Sequence, residues 1–146
     1  MSERKMDNKL RVRSEFKIGE RSQRSKTVSD DDINSFAMVT GDTNPVHTDP
    51  EFAAKTRFKG RIAHGMLTAG LISAVLGTQL PGPGCIYLSQ SLSFVRPVRI
   101  GDTITAEVEV SDWNPGKRII RLKTRCFNQT GEDVIIGEAV LLVEPV

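Results

Sequence analysis

A chain of 146 residues is one domain's worth, enough to bury roughly 70% of its unfolded surface in a single core. Hydrophobic residues at 38% and charged residues at 26% exclude a disordered tail and a membrane protein. The net charge of +2 is uneven, because residues 1–26 carry nine Lys/Arg against four Asp/Glu and the rest eleven against fourteen. The folded part is therefore slightly acidic, and with aromatics at only 5% it argues against a nucleic-acid binder.

Residues 1–15 read as a basic, flexible leader ahead of a single domain spanning 16–146. Glu3, Asp7 and Glu15 interrupt its basic run, and no apolar segment follows as in a secretory signal. A strand is expected around Glu20–Val28. Ser29 followed by Asp30, Asp31 and Asp32 has the form of an N-cap with acids in the first turn. Ile33, Phe36 and Ala37 then give the i, i+3, i+4 stripe of an amphipathic helix, which Gly41 stops. Asp49-Pro50 starts a short helix that runs to about Thr56.

From Gly65 the string Met-Leu-Thr-Ala-Gly-Leu-Ile-Ser-Ala-Val-Leu-Gly has no polar face, so the helix it forms is expected to be enclosed. Gly70 and Gly77 each cost about 1 kcal/mol there relative to Ala, which suggests another backbone in close approach. Pro81-Gly82-Pro83-Gly84 ends it. Four strands follow, over residues 86–95, 103–113, 118–129 and 134–143, separated by turn-forming segments. One long helix followed by antiparallel strands is an α+β arrangement, most simply a curled sheet around the helix. Free sheet edges in a domain this small invite a second copy, so a homodimer is expected. The two cysteines, Cys85 and Cys126, have no CxxC spacing and suit a reducing, cytoplasmic compartment.

Both histidines of the chain, His47 and His64, fall in the loops flanking the short helix. In Thr40-Gly41-Asp42-Thr43-Asn44-Pro45-Val46-His47, a carboxylate and an imidazole lie five apart around an Asn-Pro turn. The turn can bring them together to hold a water and move its protons. Equally, Asp42 and Asn44 can serve as turn caps beside a surface histidine. Gly65 opens the long helix, whose first N–H groups are unpaired and carry the positive end of its dipole, so it can offer its N–H to a developing oxyanion. Ser73, two turns on, needs a partner on an enclosed helix, either a site residue or the carbonyl one turn back.

Asp42-Thr43-Asn44-Pro45-Val46-His47-Thr48-Asp49-Pro50, His64-Gly65-Met66-Leu67, Leu80-Pro81-Gly82 and Ile86 through Phe94 together resemble the (R)-specific enoyl-CoA hydratases of the MaoC-like group. The resemblance runs from about Phe16 to Val143. It implies a hot-dog fold assembled as a homodimer, with no metal and no cofactor. It also implies Asp42 and His47 as the pair that positions water, Gly65 as the donor to the thioester carbonyl, Ser73 as support through the Asp42 carboxylate, and Asn44 as the residue that shapes the turn.

The activity implied is reversible syn hydration of a trans-2-enoyl-CoA, with the acyl group carried on coenzyme A or an acyl-carrier protein. Leu67, Leu71 and Leu76 are candidates to line the acyl tunnel, and Arg57, Lys59, Arg61, Arg96 and Arg99 to meet the CoA phosphates. The alternatives are an acyl-CoA thioesterase of the same fold and a non-catalytic acyl-thioester binding module. Neither a membrane nor a nucleic acid is expected as partner.

Overall fold

A computed structural model describes residues 12–144. β1 spans Arg21–Thr27, and α1, spanning Asp30–Thr40, begins at a full capping box. In that box the Ser29 hydroxyl accepts from the Asp32 N–H at 3.1 Å, and the Asp32 carboxylate accepts from the Ser29 N–H at 2.9 Å. These bonds hold the Asp32 carboxyl below its ordinary range, the Ser29 backbone N–H contributing most. Gly41 ends the helix in the left-handed conformation, at φ 79°.

α2, spanning Pro45–Thr48, is one short turn not expected from the sequence. The Asn44 side chain caps it through the Val46 N–H at 3.2 Å, and Pro45 presets the first helical φ. α3, spanning Pro50–Ala54, starts at Asp49, whose carboxylate accepts from Glu51 and Phe52 N–H. α4, spanning Gly65–Thr78, is the long central helix.

The remaining strands are β2 (Cys85–Phe94), β3 (Thr103–Asn114), β4 (Ile119–Phe127) and β5 (Asp133–Val143). All pairings are antiparallel, in the order β1-β3-β4-β5-β2, with register shifts between Tyr87 and Ser89, Val110 and Asp112, and Cys126 and Phe127. Such bulges bend and twist a sheet. α4 touches β1, β2, β3 and β4, so the sheet wraps the helix in the hot-dog arrangement. Ile104, Ala106, Val108 and Val110 of β3 alternate inward, as do Ile120, Leu122, Thr124 and Cys126 of β4. They meet Ile72, Val75 and Leu76 of α4. Removing the Leu76 side chain from this core would cost about 2–5 kcal/mol.

Two expectations change. α4 is not enclosed on all sides within one chain, because Met66, Gly70, Ser73 and Gly77 form an exposed stripe, and nothing lies within 4 Å of a Cβ built at Gly70 or Gly77. The glycines therefore do not mark an approach of this chain's own backbone. Further, residues 12–15, placed in the leader by composition, lie against the domain. Val12 packs on the core, Arg13 pairs with Glu20, and the Arg118 guanidinium donates to the Arg13 carbonyl at 3.1 Å. The preceding eleven residues of the leader fall outside the described residues.

Candidate active site

The end of α1 delivers Asp42 to the surface. Its N–H donates to the Thr40 hydroxyl at 3.2 Å, and its carboxylate accepts the Asn44 N–H at 3.3 Å, an Asx turn that leaves Asp42 exposed and its remaining lone pairs free. Five residues on, α2 presents His47, half-buried. Its Nδ1 lies 2.8 Å from the Ile62 carbonyl oxygen, and since a carbonyl only accepts, Nδ1 carries the proton and Nε2 is the basic nitrogen.

The strip 61–65 fastens these pieces. Arg61 donates through Nε to the His47 carbonyl at 2.5 Å and through its other nitrogens to Asp30 and, at 3.1 Å, to Asn34 of α1. Ala63 N–H bonds the Val98 carbonyl at 2.7 Å. His64, only 2% exposed, sits at the N-cap position of α4 without capping it. Its Nε2 lies 2.9 Å from the Asp42 carbonyl oxygen, and its ring stacks on that of His47 at 4.1 Å between centroids with a 31° tilt. Leu67 and Thr68 N–H turn to the His64 carbonyl, while Gly65 and Met66 N–H have no acceptor among the described residues. They form the uncapped, positive end of the helix.

A cavity of about 450 Å³ collects these groups: Asp42, His47, His64 and Gly65 line it together with apolar Phe58, Ile62, Met66, Phe94, Val95 and Ile135. Two polar atoms on its lining residues, His64 Nδ1 and Thr68 Oγ1, are buried without a partner. The site can therefore accept a proton at a carboxylate and at an imidazole a few ångströms apart, beside N–H groups suited to an oxyanion.

An Asp42 oxygen and one nitrogen of each imidazole lie within 4.8 Å of one another, the one such cluster among the described residues. Its two rings lie face to face, and each is fastened through one nitrogen to a backbone carbonyl, which leaves His47 Nε2 and His64 Nδ1 as the ring nitrogens not engaged in those bonds. The thiols lie apart from the site. Burial pushes Cys126 up to about 12 and raises Cys85, and neither lines the cavity.

Asp42, His47 and Gly65 thus meet as the sequence predicts, and Asn44 shapes the turn. Ser73 does not join them. It lies eight residues beyond Gly65, about 12 Å along the helix axis, and lines a separate groove with Gly70, Tyr87, Leu88, Ser89 and Gln90. Within one chain it makes no bond to Asp42. The leucines also depart from expectation. Leu76 is core, and Leu67 and Leu71 pack against the core, so α4 lends the cavity Met66 and Thr68 instead. Of the cations, Arg57 and Arg96 line the cavity, while exposed Lys59 and Arg99 do not. Arg61 is engaged in bracing His47, which removes it from the phosphate-binding candidates. His64, absent from the predicted site, is the main addition; its place beside Gly65 was the available signal.

Along most of its length the chain is similar to known proteins. The MaoC-like domain family matches residues 14–130. The chain is 52% identical over 129 residues to the (R)-specific enoyl-CoA hydratase of Rhodospirillum rubrum, covering 88% of this chain and 89% of that one. It is similar to the solved R-hydratase PhaJ1 of Pseudomonas aeruginosa, with TM-score 0.87, 45% identity, and coverage of 93% and 88%. It is also 37% identical over 131 residues to the mitochondrial 3-hydroxyacyl-[acyl-carrier-protein] dehydratase of Arabidopsis thaliana, covering 88% of this chain and 78% of that one. The chain belongs to the MaoC-like domain family.

Proposed function

We propose that the chain is an (R)-specific enoyl-CoA hydratase, a hydro-lyase that adds water reversibly across a trans-2-enoyl thioester. The observation that carries this reading is the meeting of Asp42, His47 and the uncapped Gly65 N–H in one cavity with an apolar wall.

In hydration the pair orients a water at C3. One member takes the proton as the oxygen attacks, and a proton is delivered to C2 from the same face, so that one C–O and one C–H bond replace the C2–C3 π bond. Negative charge developing on the thioester oxygen meets the Gly65 N–H and the helix dipole, an interaction worth about 3–4 kcal/mol. Dehydration retraces the same path. The imidazole works through Nε2, since Nδ1 is committed to Ile62.

Phe58, Met66 and Phe94 are suited to hold the start of the acyl chain, and Arg57 and Arg96 to meet the phosphates of coenzyme A. An acyl-carrier protein presents the same thioester on the same phosphopantetheine arm and is the other carrier these arginines suit. The functional unit is a homodimer. Ile86, Tyr87 and Leu88 are exposed on the free edge of β2, beside the exposed stripe Met66-Gly70-Ser73-Gly77 of α4, and a second copy pairing along β2 covers both. The two unpaired cysteines suit the cytoplasm. Among the described residues no helix is long and apolar enough to cross a membrane.

Crotonyl-CoA tests the reading. Loss of the conjugated-enoyl absorbance without free thiol supports a hydratase. Thiol release identifies a thioesterase, and tight binding with neither product identifies a binding module.

A further inference from the structure

Among the polar residues of the cavity, His64 is the most buried of the ionisable ones and has no part in the chemistry outlined above. Its place is nevertheless unusual. It occupies the N-cap position of α4 but caps nothing, and its ring is directed back toward the α1–α2 loop. Its Nε2 faces the Asp42 carbonyl oxygen at 2.9 Å, which can only accept, so that nitrogen carries the proton. Nδ1 is buried without an acceptor, where a second N–H would be left unpaired in a desolvated place. The face of the ring covers His47 at 4.1 Å, and Phe36 of α1 lies 4.7 Å away.

We propose that His64 is a positioning residue that holds both members of the catalytic pair: the Asp42 backbone through Nε2–H and the His47 ring through its face. The inference rests on the hydratase reading. Its neighbours in the chain complete the arrangement, because Ile62 accepts from His47 Nδ1 and Gly65 supplies the N–H for the thioester oxygen. One rigid strip of four residues thereby sets the direction of His47 Nε2, the place of the Asp42 carboxylate and the oxyanion donor relative to one another. Positioning at this level is where errors of about 1 Å cost roughly a hundredfold in rate.

The chain has two histidines, so 15N-histidine labelling of the full-length protein gives two imidazoles, and the His47→Gln variant assigns them. Nitrogen NMR of the unaltered protein is expected to show His64 protonated on Nε2 and His47 on Nδ1. His64→Gln removes the ring while offering an amide N–H near the Asp42 carbonyl. It is expected to lower kcat at least about tenfold, to leave KM within about threefold, and to shift and broaden the His47 ring resonances as that ring loses the face that holds it. His64 protonated on Nδ1 in the unaltered protein overturns the proposal whether or not the variant folds. So does His64→Gln with an unchanged His47 spectrum, whatever its kcat. If the unaltered protein hydrates no enoyl thioester, the hydratase reading fails, while the two tautomers still report on the positioning contacts.

Discussion

The ring of Phe94, at the end of β2, lies against Gly65 so closely that a Cβ on Gly65 would come 2.6 Å from its nearest ring carbon. The absence of a side chain at the start of α4 therefore serves two ends. It lets a ligand reach the backbone N–H, and it lets an apolar wall stand beside that N–H. Gly65→Ala is expected to fold, because the half-exposed Phe94 ring has room to swing away. The displaced ring then narrows the cavity where the thioester carbonyl must sit, and kcat/KM for crotonyl-CoA falls at least about tenfold. Steady-state kinetics beside a thermal unfolding curve checks both halves, and unchanged kinetics would show that the carbonyl lies elsewhere.

In the proposed mechanism Asp42 and His47 carry the proton transfers, so each of Asp42→Asn and His47→Ala is expected to lower turnover at least about a hundredfold. The Asp42 side chain is exposed and accepts a single backbone N–H at 3.3 Å, so Asp42→Asn should leave the unfolding midpoint nearly unchanged. Near-normal turnover in either variant removes that residue from the mechanism.

Arg61 joins α1 to the catalytic loop, bonding Asp30 and Asn34 on one side and the His47 carbonyl on the other, with its side chain only 12% exposed. Arg61→Ala leaves that carbonyl without its charged donor and is expected to cost about 1–3 kcal/mol in chemical denaturation, with lower kcat. Arg61→Lys should recover part of the stability but not all, since an ammonium lacks the planar fork that serves three acceptors. Were Arg61 instead a phosphate ligand, both variants would raise KM and leave stability alone.

Much of this fold is legible in the sequence because its signals are local. Ser29 and the acids after it start α1, Gly41 stops it, and the strand-forming runs 103–113 and 134–143, set off by turn signals, predict β3 and β5 nearly to the residue. The Asp42, His47 and Gly65 cluster is legible because turn chemistry and a helix start bring those residues together over a short stretch. The apolar wall of the cavity is not. α4 is apolar on every side, so periodicity does not tell that Met66 meets the cavity, and the rest of the wall comes from Phe58 in a loop, Phe94 at the end of β2 and Ile135 on β5. Arg61 fails for a related reason. A basic residue in a loop reads as free until Asp30 and Asn34, some thirty residues earlier, are placed beside it. Ser73 shows the limit of a motif, which names a residue type at a position but not the groove it faces in one chain.

The thiols supply a pH-dependent check. Burial raises Cys126 to about 12, because desolvation penalises the thiolate, and with a raised value the protonated thiol dominates below it. At pH 8 the thiol form therefore prevails. Cys126 is expected to resist alkylation in the folded protein and to react at once in denaturant, with half-buried Cys85 intermediate. Alkylation of Cys85 should leave hydration activity nearly unchanged, since that thiol lies outside the cavity. Rapid loss of activity on alkylation of either thiol would contradict its placement.

In the proposed mechanism Asp42 and His47 act on one face of an enoyl thioester whose carbonyl is held by Gly65. The decisive experiment is hydration of crotonyl-CoA in D₂O, with the configuration at C3 and the deuterium position at C2 both determined. The expected product is (R)-3-hydroxybutyryl-CoA with one deuterium at C2 on the face that received the hydroxyl. An (S) product, or deuterium on the opposite face, would contradict that mechanism.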